Sequence, residues 1–198
     1  MRQEMARRGL PDLSGIPSKL IPVFEGEARY RGAYGGRGSG KTRTFAKMTA
    51  VRGDIFATQG VSGVILCARE FQNSLDDSSF AEVRAAILAD PYLTSRWEIG
   101  ATYIRHVTRN VEYVFRGLRH NRESLKGLAR ILIAWPDEAE QITEESWQIL
   151  IPTVREDGSE IWLTWNRASE KSATNQRFIV NATPDMKIVE INWSDNSW

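Results

Sequence analysis

A single cysteine, Cys67, leaves this chain without any internal disulfide, which suits a reducing compartment. Histidine is almost as scarce. His106 and His120 stand apart, and nothing around them resembles a metal cluster or a catalytic triad. Net charge is nearly absent, since 26 Lys and Arg face 25 Asp and Glu. Composition alone therefore announces no nucleic-acid or membrane partner, although a local surface could still bind one. No apolar run is long enough to span a bilayer. The stretch from Met1 to Arg8 is polar and lacks the apolar segment of a signal peptide. These absences predict a cytoplasmic protein. There is no internal repeat and no low-complexity segment.

What is present is ordinary globular composition. The 198 residues are 41% hydrophobic and 26% charged, enough for one domain with a full core and no covalent ties. Residues 1–27 read as an extension. Pro11, Pro17 and Pro22 punctuate it, and Leu20, Ile21, Val23 and Phe24 can pack on the edge of a domain spanning 28–198.

Within that domain the pattern alternates. Arg29–Tyr34 reads as a short strand, and Thr42–Thr58 as a helix stopped by Gly60. Val61–Cys67 is a buried strand, and Asn73–Leu88 a helix ended by Asp90-Pro91. Arg96–Phe115 shows two-residue alternation, hence short antiparallel strands turning at Asn110. Ile131–Trp135 is a continuous apolar run suited to a central parallel strand. Thr143–Ile149 carries a helix-capping signature. Glu160–Trp165, Phe178–Asn181 and Lys187–Trp193 complete the strands. Strands alternating with helices predict an α/β fold with a mainly parallel sheet. The seven tryptophans are read as core and interface rather than as base-stacking platforms.

One stretch stands out: Gly35-Gly36-Arg37-Gly38-Ser39-Gly40-Lys41-Thr42. It fits the phosphate-binding loop of nucleoside triphosphatases. Successive backbone N–H groups at Gly35, Gly36, Gly38, Ser39 and Gly40 can surround a phosphate, and the next helix points its N-terminus at it. Lys41 can reach the β- and γ-phosphates, and the Thr42 hydroxyl can ligate Mg²⁺.

Downstream, the apolar strand runs out at Pro136 and delivers Asp137 and Glu138 at its carboxyl end, the end that faces ligands in open α/β sheets. Asp137 can hold Mg²⁺ through water, and Glu138 can polarise the attacking water. Glu140 competes for that base role. Arg37 either neutralises charge at the γ-phosphate or is a solvated or sheet-anchoring arginine. Thr164-Trp165-Asn166 ends a strand and reads as a strand cap or a γ-phosphate sensor. Arg69-Glu70-Phe71-Gln72-Asn73-Ser74 lies at the same sheet edge. It reads as a nucleic-acid or nucleotide relay, or as a helix start capped by Asn73 or Ser74.

Six blocks in order then carry a resemblance: Gly35–Thr42; Cys67-Ala68-Arg69-Glu70 with Gln72-Asn73-Ser74; Ser124-Leu125-Lys126-Gly127-Leu128; Asp137-Glu138-Ala139-Glu140 with Ser146-Trp147; Ile151-Pro152-Thr153-Val154-Arg155; and Thr164-Trp165-Asn166. Together they resemble the N-terminal ATPase domain of large terminase subunits from tailed double-stranded DNA bacteriophages, motors that thread viral DNA into preformed capsids. The resemblance covers roughly residues 28–196. It implies an additional-strand (ASCE) P-loop NTPase fold, with ATP and Mg²⁺ as substrate and cofactor. It implies Lys41 and Thr42 at phosphate and metal, Asp137 at the metal, and Glu138 as the catalytic carboxylate. Arg37 becomes a candidate arginine finger, acting in cis or on a neighbouring subunit. Thr164 and Asn166 become a coupling motif, and Arg29 and Tyr30 flank the adenine.

The implied partners are double-stranded DNA, the portal protein and the small terminase subunit. The implied assembly is a homo-oligomeric ring on the procapsid, in host cytoplasm and away from membranes. A helicase-like DNA remodeller, or an assembly module with weak hydrolysis, is the alternative reading. Two departures stand against the family pattern. Pro136 replaces a more usual apolar residue before Asp137, and the family's C-terminal nuclease has no counterpart. The expectation is an ATPase-domain fragment or truncated chain without DNA cleavage.

Overall fold

The computed structural model describes residues 9–71, 79–119, 125, 127–128 and 130–196. Eight strands form one sheet: β1 Tyr30–Tyr34, β2 Gly63–Arg69, β3 Trp97–Ile99, β4 Ile104–His106, β5 Val111–Gly117, β6 Ile131–Pro136, β7 Glu160–Trp165 and β8 Met186–Glu190. Their spatial order is β3-β4-β5-β2-β6-β7-β1-β8. The six strands from β5 to β8 run parallel, and β3 and β4 add an antiparallel edge. Strand β7 lies between β1, which leads into the glycine loop, and β6, which leads into the acidic pair. This is the additional-strand arrangement.

The helices are α1 Ile21–Phe24, α2 Lys41–Thr58, α3 Phe80–Leu88, α4 Pro91–Arg96, α5 Glu144–Thr153 and α6 Ala173–Asn175. They cover both faces of the sheet. Along β2, Ile65 and Cys67 belong to one buried cluster with Phe45, Ala50, Trp135 and Trp162. The alternate residues Leu66 and Ala68 join a second cluster with Leu150, Leu163 and Phe178. Period-two side chains on a doubly covered sheet are apolar on both faces, so β2, β6 and β7 read as continuous runs.

Most expected elements appear, and four differ. The expected helix from Asn73 is described only from Phe80, and Gln72, Asn73 and Ser74 lie outside the described residues. Asp90-Pro91 ends α3 as expected but also starts α4, because the Asp90 carboxylate accepts from the Tyr92 N–H at 3.0 Å. Phe178–Asn181 is no strand. Gln176–Val180 forms one π-helical segment, with Phe178 packed 4.9 Å from the Trp147 ring. The expected strand to Trp193 stops at Glu190, because Asn192 and Asp195 close a capping box around Trp193–Asp195.

Two polar clusters tie elements together. Asp54 of α2 is buried and accepts from Tyr92 Oη at 2.7 Å and Arg96 Nε at 2.8 Å, with His106 Nε2 at 2.9 Å. His106 is thereby a structural histidine, and His120 lies outside the described residues. On β1, Arg31 is only 2% exposed. It grips Glu160 of β7 at 2.5 and 3.2 Å and donates to the carbonyls of Val23 at 2.7 Å and Gly26 at 2.6 Å. It thus fastens the extension to the sheet, where Leu20 and Val23 are buried and Phe24 partly so as expected, while Ile21 is exposed instead.

Removing Arg31 takes the main counter-charge from buried Glu160, leaving it Trp162 Nε1 at 2.7 Å and the half-exposed Arg52 at 3.3 Å. Arg31→Met is expected to lower stability by about 3 kcal/mol in urea unfolding. The double change Arg31→Met with Glu160→Gln should recover part of that loss. An unchanged midpoint in the single variant would show that the clamp contributes nothing.

Candidate functional site

The glycine loop leaves β1 at Gly35, which has a φ of 135° and lies against Ile191 just past β8. A side chain there would meet the Ile191 carbonyl oxygen at 2.1 Å, so only glycine fits. Gly40, at φ 79°, turns the chain into α2. Lys41 therefore begins the helix and folds back under its own loop. Its ammonium donates to Gly35 O at 3.1 Å, Gly36 O at 2.7 Å, Ser39 Oγ at 2.9 Å and Asn166 Oδ1 at 3.1 Å. Burial lowers the Lys41 pKa to about 8, against the opposing pull of Asp137.

The acidic pair arrives from β6. Pro136 stays within the strand, paired with Ala68, and the Asp137 N–H donates to Ala68 O at 2.9 Å. The aim of Asp137 is thus set by β2. Its Oδ1 accepts from Thr164 Oγ1 at 2.7 Å and from Thr42 Oγ1 at 3.3 Å. Thr164 is itself held by Trp135 Nε1 at 3.0 Å. Two hard oxygen donors from opposite sides of the site therefore meet. Mg²⁺ takes few protein ligands and completes its shell with water and phosphate oxygens, so this donor set fits it. Among the described residues there is no group of three or more His, Cys, Asp or Glu that could hold a metal by themselves.

Glu138 follows with φ 53° and ψ 40°, a left-handed conformation that costs a non-glycine residue about 1–2 kcal/mol. That turn leaves the carboxylate half exposed on the cavity wall. Glu140 points elsewhere. Its carboxylate accepts from the N–H groups of Ala168 at 3.1 Å and Ser169 at 2.8 Å, and from Ser172 Oγ at 3.1 Å. It anchors the segment after β7 and faces away from the cavity, whereas Glu138 is half exposed on the cavity wall with Arg69 Nη1 3.3 Å from its Oε1.

One cavity of about 670 Å³ joins these groups. Its wall includes residues 37–43, Asp137, Glu138, Thr164 and Asn166, with Glu82 and Ala86 of α3 opposite. Arg37 is exposed at its rim. Arg29 and Tyr30 are not brought here. They sit at the amino end of β1, away from the loop. Arg29 donates to the carbonyls of Val154 and Ser159, and Tyr30 packs on Phe178 at 5.4 Å.

Three sets of contacts were not readable from the sequence. Arg69, buried at the end of β2, donates to Asp137 Oδ2 at 2.6 Å and lies 3.3 Å from Glu138 Oε1. Glu70 accepts from the Thr143 hydroxyl at 3.2 Å and N–H at 3.3 Å, joining β2 to the start of α5. The segment after β8 braces the glycine loop, with Asn192 Oδ1 accepting from Gly36 N–H at 3.2 Å and Asn196 Nδ2 donating to Gly38 O at 3.0 Å. Arg69 and Glu70 stood in the sheet-edge stretch already singled out as a relay or a helix start, but their partners had no sequence signal. Ser124 and Lys126 lie outside the described residues. No helix among the described residues is long and apolar enough to cross a membrane.

Comparison places this geometry among known proteins. Residues 27–198 match the family model described as phage terminase large subunit. No curated protein matches. Among solved structures, the large terminase of a thermophilic bacteriophage superposes with a TM-score of 0.68 at 12% identity, over 90% of this chain and 44% of that one. The same terminase with ADP gives 0.69 at 12%, over 90% and 43%. The large terminase ATPase domain of Thermus phage P74-26 gives 0.59 at 13%, over 87% and 79%. The chain thus spans less than half the length of the thermophilic phage's large terminase. At these identities the likeness concerns the fold.

Proposed function

Because the chain belongs to the phage terminase large subunit family, we propose that its cavity binds ATP with Mg²⁺ and hydrolyses the terminal phosphoanhydride to drive DNA packaging. The meeting of Thr42 and Asp137 at 3.3 Å, with the half-exposed carboxylate of Glu138 on the same cavity wall, carries this reading. It joins the two halves of a hydrolysis site in one cavity.

The residues take separate roles. The glycine loop and Lys41 bind the phosphates, and the ammonium exchanges its present oxygen partners for phosphate oxygens. Thr42 and Asp137 hold Mg²⁺, which supplies charge neutralisation at the phosphates when bound. Glu138 orients a water for in-line attack and accepts its proton. Arg37, at the rim, stabilises developing charge on its own or a neighbouring subunit's nucleotide. Thr164 in β7 contacts Asp137 and Asn166 just past it contacts Lys41, so the end of β7 couples the phosphate lysine to the metal carboxylate. The partners on this reading are double-stranded DNA, the portal protein, the small terminase subunit and further copies in a ring, in host cytoplasm.

The test is ATP turnover by this chain, with and without Mg²⁺ and with and without double-stranded DNA. Mg²⁺-dependent release of phosphate is expected. A chain that neither binds nor hydrolyses ATP at millimolar concentration would remove the proposal. DNA-stimulated strand separation would favour a remodeller over a packaging motor.

A further inference from the structure

We propose that Trp193 is the stacking platform for the nucleobase of the bound nucleoside triphosphate. The inference rests on the nucleotide site proposed above and deepens it. Five of the seven tryptophans are buried, in keeping with a core role rather than a base-stacking one. Trp193 is not. At 73% exposure it is the most exposed large hydrophobic side chain among the described residues.

Its surroundings are fixed rather than loose. The capping box between Asn192 and Asp195 shapes the turn that carries it, and Lys19 pairs with Asp195 at 3.1 Å. Asn192 and Asn196, on either side of it, bond directly to the glycine loop at Gly36 and Gly38. A methyl group placed on Gly38 would lie 3.8 Å from the Trp193 Cβ, so the indole leaves the backbone beside the loop itself. An exposed indole on a braced turn keeps its open face at little conformational cost.

The direction of the ligand selects this side. In the sheet, β6 and β7 lie on one side of β1 and β8 on the other. Thr42, Asp137, Thr164 and Asn166 mark the end where the terminal phosphate belongs. A nucleotide is linear, with its reacting phosphate at one end and its base at the other. With the terminal phosphate directed toward Asp137, the base leaves the loop toward the end of β8, where Trp193 stands. Aromatic stacking tolerates any base, since each has a π-face.

The experiment compares two ligands that share phosphates but not a base. ATP and inorganic triphosphate are titrated into the wild-type chain, Trp193→Ala, Trp193→Phe and Lys41→Ala, each with Mg²⁺. Trp193→Ala is expected to weaken ATP binding about tenfold, the size of one aromatic–base stack, and to leave inorganic triphosphate unchanged. Trp193→Phe should keep most of the ATP affinity. Equal ATP affinity in wild type and Trp193→Ala would overturn the proposal. So would equal weakening of both ligands, which would make Trp193 a brace for the loop. A wild-type chain that binds neither ligand, or a Lys41→Ala chain that binds both normally, would instead sink the nucleotide site itself and this inference with it.

Discussion

Glu138→Gln is expected to cut ATP turnover by about 10³-fold while leaving ATP affinity within about twofold, because general-base catalysis contributes on that scale and binding does not depend on it. The amide keeps the shape of the carboxylate but cannot take a proton from water. The geometry also predicts what the neighbouring acid does. Glu140 is committed to two backbone N–H groups and a hydroxyl in the segment after β7. Glu140→Gln should therefore loosen that segment, seen as faster hydrogen exchange at Ala168 and Ser169, with turnover reduced less than in Glu138→Gln. Near-normal turnover in Glu138→Gln would end its assignment as base. Loss of turnover in Glu140→Gln with unchanged exchange at Ala168 would transfer the role to Glu140.

The contrast between these two acids also marks where sequence reading stops. Asp137-Glu138-Ala139-Glu140 offers two equivalent glutamates in one dimension. Only the positive φ of Glu138 and the return of the 168–172 segment distinguish them, and both are products of tertiary packing. The glycine loop, by contrast, was legible because its requirement is local: a backbone that must turn tightly, beside a helix start. Strands β2, β6 and β7 were legible because burial on both faces fills them mostly with apolar residues, with buried Arg69, Glu160 and Thr164 at or near their ends.

Arg69 was not legible as a partner of Asp137. Its place follows from the register of β2 on β6, Cys67 beside Trp135 and Ala68 beside Pro136, which sets Arg69 abreast of Asp137. Register across a parallel sheet has no signature in either strand alone. The bracing of the loop by Asn192 and Asn196 depends likewise on β8 pairing with β1, Tyr34 beside Glu190. Phe178–Asn181 misled for the opposite reason. A short apolar run suits a strand or a buried helical turn equally, and packing against Trp147 decided it.

Lys41→Ala should abolish turnover and weaken ATP binding by about 100-fold, since it removes charge-assisted bonds to phosphate oxygens. The lowered pKa adds a signature that simple loss of contact would not give. In the free chain Lys41 titrates near about 8, because burial disfavours the ammonium. In the unfolded chain it titrates at the ordinary value of 10.5. The folded free state is therefore penalised in full below pH 8, and the penalty fades as pH rises from 8 toward 10.5. Bound phosphate reverses that preference, since its negative charge favours the ammonium and raises the pKa of Lys41 in the complex. Above pH 8 the complex then holds a proton that the free chain has lost. ATP affinity should fall with rising pH in that window, by up to about tenfold per pH unit, and binding should take up protons from the buffer. Calorimetric titration in buffers of different ionisation heat measures that uptake. Lys41→Ala should show none of it, with weak affinity that stays level across the same range. A wild-type affinity that is also level from about pH 7 to about pH 9 would mean that the loop oxygens now on Lys41 hold its proton as firmly as phosphate does.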